Sequence, residues 1–229
     1  RDRIVLAPGA MMGHDTTLTP QAVLQGYEMA ADFTVPSAIT LTLEPGVELM
    51  GDDVELKVQG HLEALGTPTE PITLTSVTDT SAKRWQGVLF DGGTGHLRHA
   101  VVRYGGGSNS AGIIGNITVQ DTLGGDVVLE SCQVLECNNA FGTEYGLYID
   151  NGRATVSDSL FSDIGAGAAA PLYILGADSV VNLTSNTFTG NSRDRVVLAD
   201  GAMTGHDATL RPQAVLQGYE MAADFTVPS

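Results

Sequence analysis

Short runs of alternating apolar and polar residues dominate the chain. In SAITLTLEPGVELM, Ile39, Leu41 and Leu43 alternate with Thr40 and Thr42 before Pro45-Gly46 breaks the run. Val54, Leu56 and Val58 then alternate with Glu55, Lys57 and Gln59, and Gly60 ends the second run. In a third, Ile72 and Leu74 alternate with Thr73 and Thr75. A period of two puts successive side chains on opposite faces of an extended strand, so each run predicts a strand with one buried face. WQGVLFDGG, HLRHAVVRYGGG and GNITVQDT continue the series as short strands closed by glycines. Positions 1–26 are more mixed, and from about Tyr27 the pattern turns to strands. The run IVL at 4–6 predicts a short strand and the next stretch a loop punctuated by Pro and Gly, while AVLQGYEMAA (22–31) has the propensity of a short helix interrupted at Gly26.

The last third is the most regular. VVLESCQVLECN, ATVSDSLFSDI and VVNLTSNTFTGN superimpose so that Leu129, Val156 and Leu183 share one register at steps of 27, as do Cys132, Ser159 and Asn186. Each is followed by a further short strand: GLYIDNG (146–152), PLYILGA (171–177) and RVVLADG (195–201). Two or three short strands per repeat, at spacings in the twenties, describe a coil of parallel strands. In such a coil each rung pairs with its neighbours, and inward side chains stack like on like. Hairpins would place two-residue Asn-Gly or Asp-Gly turns between paired runs, so the coil fits better. A β-sandwich is the rival architecture.

A second, longer period overlies the first. Residues 1–37 return at 193–229, an offset of 192, with 32 of 37 positions identical. The changes are Ile4/Val196, Pro8/Asp200, Met12/Thr204, Thr17/Ala209 and Thr19/Arg211. This reads as one period of a tandem array plus the start of the next, rather than a local duplication. The predicted organisation is a junction segment over 1–31, a coil over 32–200, and the start of a following copy over 193–229. Rungs of about 24 residues would give about eight rungs per period and roughly 38 Å of rise.

The run DFTVPSAITLTLEPGVELM, then VELKVQGHLEALGTPTEPITLTSV, then WQGVLFDGG resembles the opening of bacterial secreted or cell-surface right-handed parallel β-helix proteins, which share the pectate-lyase-like superfold. Their pattern is V-P-x-G-x-T-L-T-I-x-P-G-V, then V-x-G-x-L-x-A-x-G-T-x-x-x-P-I-x-F-T-S, then W-x-G-I-x-F. It is matched at Val35, Pro36, Leu41, Pro45, Gly46 and Val47, and again at Val58, Gly60, Leu62, Ala64, Gly66, Thr67, Pro71, Ile72, Thr75 and Ser76. Trp85, Gly87 and Phe90 complete it, whereas Ser37 stands where Gly is favoured and Leu74 where Phe is common. The resemblance implies an all-β, right-handed parallel β-helix (β-solenoid) in an extracellular or cell-surface setting. It implies no particular activity, since the fold hosts enzymes and inert shafts alike.

Charge narrows the partners. A net charge of −16, with only two lysines, repels phosphate backbones and anionic lipid headgroups, so nucleic acid is not expected as a partner. No apolar run approaches the ~18–20 residues of a membrane span. Cys132 and Cys137, if extended, have Cα atoms roughly 16 Å apart, too far for a disulfide, and read as buried thiols.

Candidate chemistry is sparse. Lyases resembling this fold gather aspartates around Ca²⁺ beside an arginine, and the hydrolases set paired carboxylates in N-T-D, D-D, G-H-G and R-I-K motifs. Asp52-Asp53 is the only such pair, and neighbours on a strand point to opposite faces. Asp52, Asp53 and Asp150 are weak candidates for structural Ca²⁺, against a default of solvated turn carboxylates. His14-Asp15, which returns as His206-Asp207, is a weak metal candidate and more simply a hydrogen-bonded turn. Thr40/Thr42 and Thr73/Thr75 are too few rungs for an ice-binding ladder. Trp85 could stack on a sugar, but packing is the better reading.

No catalytic residue and no obligatory cofactor is predicted. The expected role is a structural extracellular filament or surface stalk, built by end-to-end stacking of 192-residue units, with self as the partner. The apolar residues of the repeated segment, Tyr27, Phe33 and Val35 with their counterparts Tyr219, Phe225 and Val227, are the candidate assembly contacts. A glycan-binding adhesin using loops 78–84, 105–111 and 138–145 is the alternative, and a polysaccharide lyase or hydrolase a more distant one.

Overall fold

The computed structural model describes residues 2–7, 13–80, 84–122, 125–137, 144–165, 169–199, 201–202, 209–213 and 216–222. These form 23 short strands and no helix, in three sheets of eight, eight and seven strands. Sheet 1 contains Ile4–Leu6, sheet 2 Thr16–Leu18 and sheet 3 Phe33–Val35. From Phe33 to Leu198 the chain visits sheet 3, then 2, then 1, and each visit lays a parallel strand beside the last one in that sheet. The result is an all-β parallel β-helix of about seven turns.

The registers are those of the hydrophobic pattern. Leu129 pairs with Val156 and Val156 with Leu183, as the step of 27 predicts. The strands Tyr145–Asp150, Ala170–Leu175 and Arg195–Leu198 are likewise consecutive neighbours in sheet 3. Inward residues form continuous rows. In sheet 1 one row runs Ile4, Tyr27, Leu49, Leu74, Val102, Val134, Phe161, Phe188. Phe161 and Phe188 stack with ring centroids 5.3 Å apart. Burying each such side chain contributes about 1.5–3 kcal/mol.

Turn length varies, because only the inward pattern is constrained. The turn from Tyr27 to Leu49 is short, and the one from Val102 to Val134 is nearly half as long again. Most turns are longer than the rungs expected from sequence, so the row from Ile4 to Phe188 holds seven of them rather than eight. Extra residues leave the coil at its corners, as in the loop 104–114.

The structure decides two readings in positions 1–31. Thr16–Leu18, within the stretch expected as a loop, is a strand paired with Thr40–Leu43 because Leu18 continues the buried row of Leu43. Tyr27–Met29, inside the stretch with helix propensity, is a strand between Ile4–Leu6 and Glu48–Gly51. Tyr27 and Met29 are both buried two positions apart, and burying that face outweighs a weak intrinsic preference. The described part of the segment is therefore itself a turn of the coil, at its first end.

The corner between sheets 2 and 1 is built the same way in successive turns. A single residue there has positive φ: His99 at 46°, Ser131 at 53°, Asp158 at 51° and Ser185 at 56°. One left-handed residue redirects the chain, and short polar side chains tolerate it best. Just beyond it lies a buried polar ladder. The Cys132 amide donates to Ser159 Oγ, the Ser159 amide to Asn186 Oδ1, and the Asn186 amide to Gln213 Oε1, at 3.0, 3.0 and 3.2 Å. Asn186 Nδ2 also donates to the Val156 carbonyl at 2.8 Å. The ladder thus satisfies backbone groups that the bend takes out of the sheets.

Glycine is required where the backbone closes in. A Cβ on Gly60 would lie 2.2 Å from the carbonyl oxygens of both Pro36 and Ile39. Inside the coil, Gly95 leaves room for the Phe90 ring, whose Cε1 would sit 2.6 Å from an added Cβ.

Replacing Asn186 with Ala should strip the Ser159 amide of its partner and remove one of the bonds to the Val156 carbonyl, in a fully buried corner. We expect a loss of about 2–4 kcal/mol in urea unfolding. Asn182→Ala, on the exposed face of the adjoining strand, should cost under about 0.5 kcal/mol.

Candidate functional site

One outward row of sheet 3 stands out for its cover and its aromatic residues. It runs Thr34, Lys57, Leu89, Thr118, Tyr148, Tyr173, Val197, Glu220. An outward row on a coil is ordinarily wet, yet Leu89, Thr118 and Val197 are buried. Part of the cover is the loop 104–114. Asn109 Nδ2 donates to Thr118 Oγ1 at 3.0 Å, and the Ser110 amide donates to Glu55 Oε2 at 2.8 Å. Residues 109–110 therefore reach from the start of Leu56–Val58 to Gly115–Gln120, across Val88–Asp91 and its Leu89. The loop is held in shape by Asn109, whose Oδ1 accepts the amides of Ala111 and Ile113. At its root, Trp85 Nε1 donates to the Arg103 carbonyl and the ring is wholly buried, so Trp85 packs the coil and offers no platform.

Where the loop ends, the row becomes aromatic. Tyr148 and Tyr173 are partners on adjacent strands and stack almost face to face, centroids 5.5 Å apart and planes 3° from parallel. Tyr145 leans on both at 5.2 and 4.9 Å, tilted by 49° and 48°. With Gly112, Ile113, Ile114 and Leu175 they line a shallow cleft of about 220 Å³. Tyr148 is largely covered, while Tyr145 and Tyr173 keep part of their surface in solvent. Burial, then the neighbouring Asp150 carboxylate and the other two phenols, pushes the Tyr148 hydroxyl up to about 12. Burial and then Asp121 raise Asp150 above the ordinary carboxylate range. The arrangement provides flat apolar faces with hydroxyl edges. That suits stacking against a ring, with no activated nucleophile among these residues to react with it.

The expected sites are placed as follows. Asp52 and Asp53 lie exposed at the turn before Leu56–Val58, where Gln86 Nε2 donates to the Asp53 carbonyl at 2.9 Å. Asp150 ends Tyr145–Asp150, three strands further along sheet 3 (about 14 Å at the usual strand spacing) and at the opposite end of the strand direction from Asp52 and Asp53. The structure does not bring these Ca²⁺ candidates together, and among the described residues no three His, Cys, Asp or Glu side chains are grouped to hold a metal. Asp91, in the same sheet, is held below the usual range by Lys57, Gln120 and Gln59. Asp15 accepts the Thr40 amide at 2.8 Å and so ties its turn to the next one, while its counterpart at 207 lies outside the described residues, as does 206.

Tyr27, Phe33 and Val35 are interior, with 6%, 2% and 1% exposure, so any part they take in assembly runs through the stacking of one turn on the next. Tyr219 is partly buried, and Phe225 and Val227 lie outside the described residues. Cys132 and Cys137 are buried free thiols, burial raising Cys132 to about 11 and Cys137 higher still. Of the three loops expected to bind glycans, 105–111 leads directly into the cleft wall at 112–114, while 81–83 and 138–143 fall outside the described residues. The tyrosine trio was not singled out from sequence. Its signal was the superposition of YGLYID on APLYIL, which aligns Tyr148 with Tyr173 in an outward position.

No protein-family model, curated protein or solved structure matches this chain. The fold is that of a parallel β-helix. Among the described residues no helix is long and apolar enough to cross a membrane.

The raised tyrosines set an alkaline limit. An ordinary phenol ionises near ~10. A folded value of about 12 for Tyr148 therefore means stabilisation that is complete below about pH 10 and lost as pH rises through 12. Tyr104, raised to about 12 by its bond to Glu136 and by burial, acts in the same direction. In an ultraviolet titration Tyr148→Phe should remove one late-ionising phenol and flatten the fall in stability between about pH 10 and 12.

Proposed function

We propose that this protein is a structural element of an extracellular filament or surface stalk, in which tandem copies of a 192-residue β-helical unit add length and stiffness. One observation carries the reading. The described strands of the second copy, Arg195–Leu198 and Gly218–Met221, add to the coil and remake contacts of the first. Val196 pairs with Tyr219 as Ile4 pairs with Tyr27, and Leu198 with Met221 as Leu6 with Met29. Tyr219 donates its hydroxyl hydrogen to the Arg211 carbonyl as Tyr27 does to Thr19. Arg195 meets Glu220 as Arg3 meets Glu28. The resemblance of residues 32–92 to bacterial secreted β-helix proteins supports the extracellular setting, and an acidic surface keeps a long assembly soluble.

Electron microscopy of chains carrying one, two and three units tests this reading. Narrow straight rods that lengthen by roughly 35 Å per unit, the rise of some seven turns at ~4.8 Å each, are expected. Compact particles whose longest dimension does not grow with copy number would sink it.

The tyrosine cleft favours a second reading, a glycan-binding adhesin that presents Tyr145, Tyr148 and Tyr173 from the side of the shaft. If a glycan array yields a ligand, Tyr173→Ala should weaken it about tenfold, the value of one lost stacking contact. An unchanged affinity would remove the cleft from consideration.

A further inference from the structure

The two copies of the repeated segment pair their strands alike but lie on different sheets. In the first copy Ile4–Leu6 and Tyr27–Met29 are neighbours in sheet 1. In the second, Arg195–Leu198 and Gly218–Met221 are neighbours in sheet 3. The reason is arithmetic imposed by the fold. Seven complete turns carry the sheet 1 row from Ile4 to Phe188, leaving only eight positions before Val196, the counterpart of Ile4. Eight positions cannot complete a turn, since even the short one runs from Tyr27 to Leu49. They do reach the next sheet in the chain's order, which from Phe33 onward is sheet 3 after sheet 1. Measured on its strands, one period therefore spans seven and one-third turns.

The receiving edge accepts this shifted copy well. Val196 stacks on Leu172 and Leu198 on Ile174, and they are 0% and 3% exposed. Their counterparts Ile4 and Leu6, with no described strand beneath them, are less buried. The polar corner ladder also crosses the junction. Gln213 of the second copy takes the place after Cys132, Ser159 and Asn186, accepting the Asn186 amide and donating to the Leu183 carbonyl. Gln21, its counterpart, bonds Thr19 and the Tyr27 hydroxyl. Gln213 and Gln21 both lie at the corner between sheets 2 and 1, so this residue keeps its corner while the strands around it move on by one sheet. The strand ladder then sets the phase of a following copy.

We infer that successive units join as one uninterrupted coil in which each copy is rotated about the axis by one sheet, a third of a turn, relative to the copy before it. This rests on the tandem-array reading above. Sheet 3 of one unit continues as sheet 1 of the next, sheet 1 as sheet 2, and sheet 2 as sheet 3. Each unit then rises about 35 Å, and equivalent faces return to the same side only every third unit, about every 105 Å. A lateral feature such as the tyrosine cleft is consequently displayed on three sides of the shaft rather than along one.

The test is cryo-electron microscopy of a chain in which residues 1–192 occur several times ahead of 193–229, with one probe per unit. Ala177→Cys supplies the probe site, in an exposed turn between Ala170–Leu175 and Val180–Thr184, and both native thiols are buried against labelling. Continuous rods with successive gold labels turned by roughly 120° and realigned about every 105 Å are the expected result. Rods whose labels all lie on one side at about 35 Å intervals would mean that the fixed corner of Gln213, not the strand ladder, sets the phase. That result overturns the rotation but leaves the array reading standing, and so do separate short rods on flexible links. Particles that do not elongate with copy number overturn the array reading itself. The unlabelled chain, imaged alongside, gives the same twist and rise from the density alone and guards against a label that disturbs the turn.

Discussion

Backbone pairing between one turn and the next is the interaction on which all else in this molecule stands. Strands only three to six residues long have no independent stability. They persist here because each is flanked in its sheet and because its inward side chains continue a row already begun. Stability is then a nearest-neighbour sum, each turn held by the edge and the rows of the turns beside it.

The corners show how this requirement is met where the sheets bend. A bend removes amides and carbonyls from the ladder, and a buried unpaired group costs about 1–3 kcal/mol. Ser159, Asn186 and Gln213 return those bonds from their side chains, each to the turn beneath. Cys132 is the least polar member of the ladder. Its Sγ lies 3.2 Å from the Leu97 carbonyl, a weak donor in the position where Asn186 and Gln213 place amide hydrogens. A polar corner of this kind also resists slippage, because shifting a strand by one residue would bury its outward side chains and expose its ladder.

A coil has interior constraints and exterior freedom. The interior accepts only residues that continue a row, as Gly95 does by yielding to Phe90. The outside tolerates a loop such as 104–114, and the end of that loop with three tyrosines makes an aromatic cleft. Surface ion pairs such as Lys57–Asp91 and Arg153–Asp126 are partly exposed and contribute little each. The acidic excess acts chiefly through solubility and repulsion of other anions.

Sequence alone was enough for most of the strands from Phe33 on, the registers of the last third and the long period, because inward alternation and near-identity are local properties of a string. It read Thr16–Leu18 as loop, and it left Tyr27–Met29 between the helix propensity of AVLQGYEMAA and the start of the strand pattern, which only the neighbours Ile4–Leu6 and Glu48–Gly51 settle. It also left Tyr145, Tyr148 and Tyr173 as scattered aromatics, since their meeting depends on adjacent turns and on a loop inserted elsewhere. The turn count lay beyond it for a related reason. Turns as unequal as Tyr27 to Leu49 and Val102 to Val134 cannot be counted until the pairing says which residues lie above which. That the strands of one period end a sheet away from where they began was decided only by the folded chain, because phase around an axis is a property of the assembled coil.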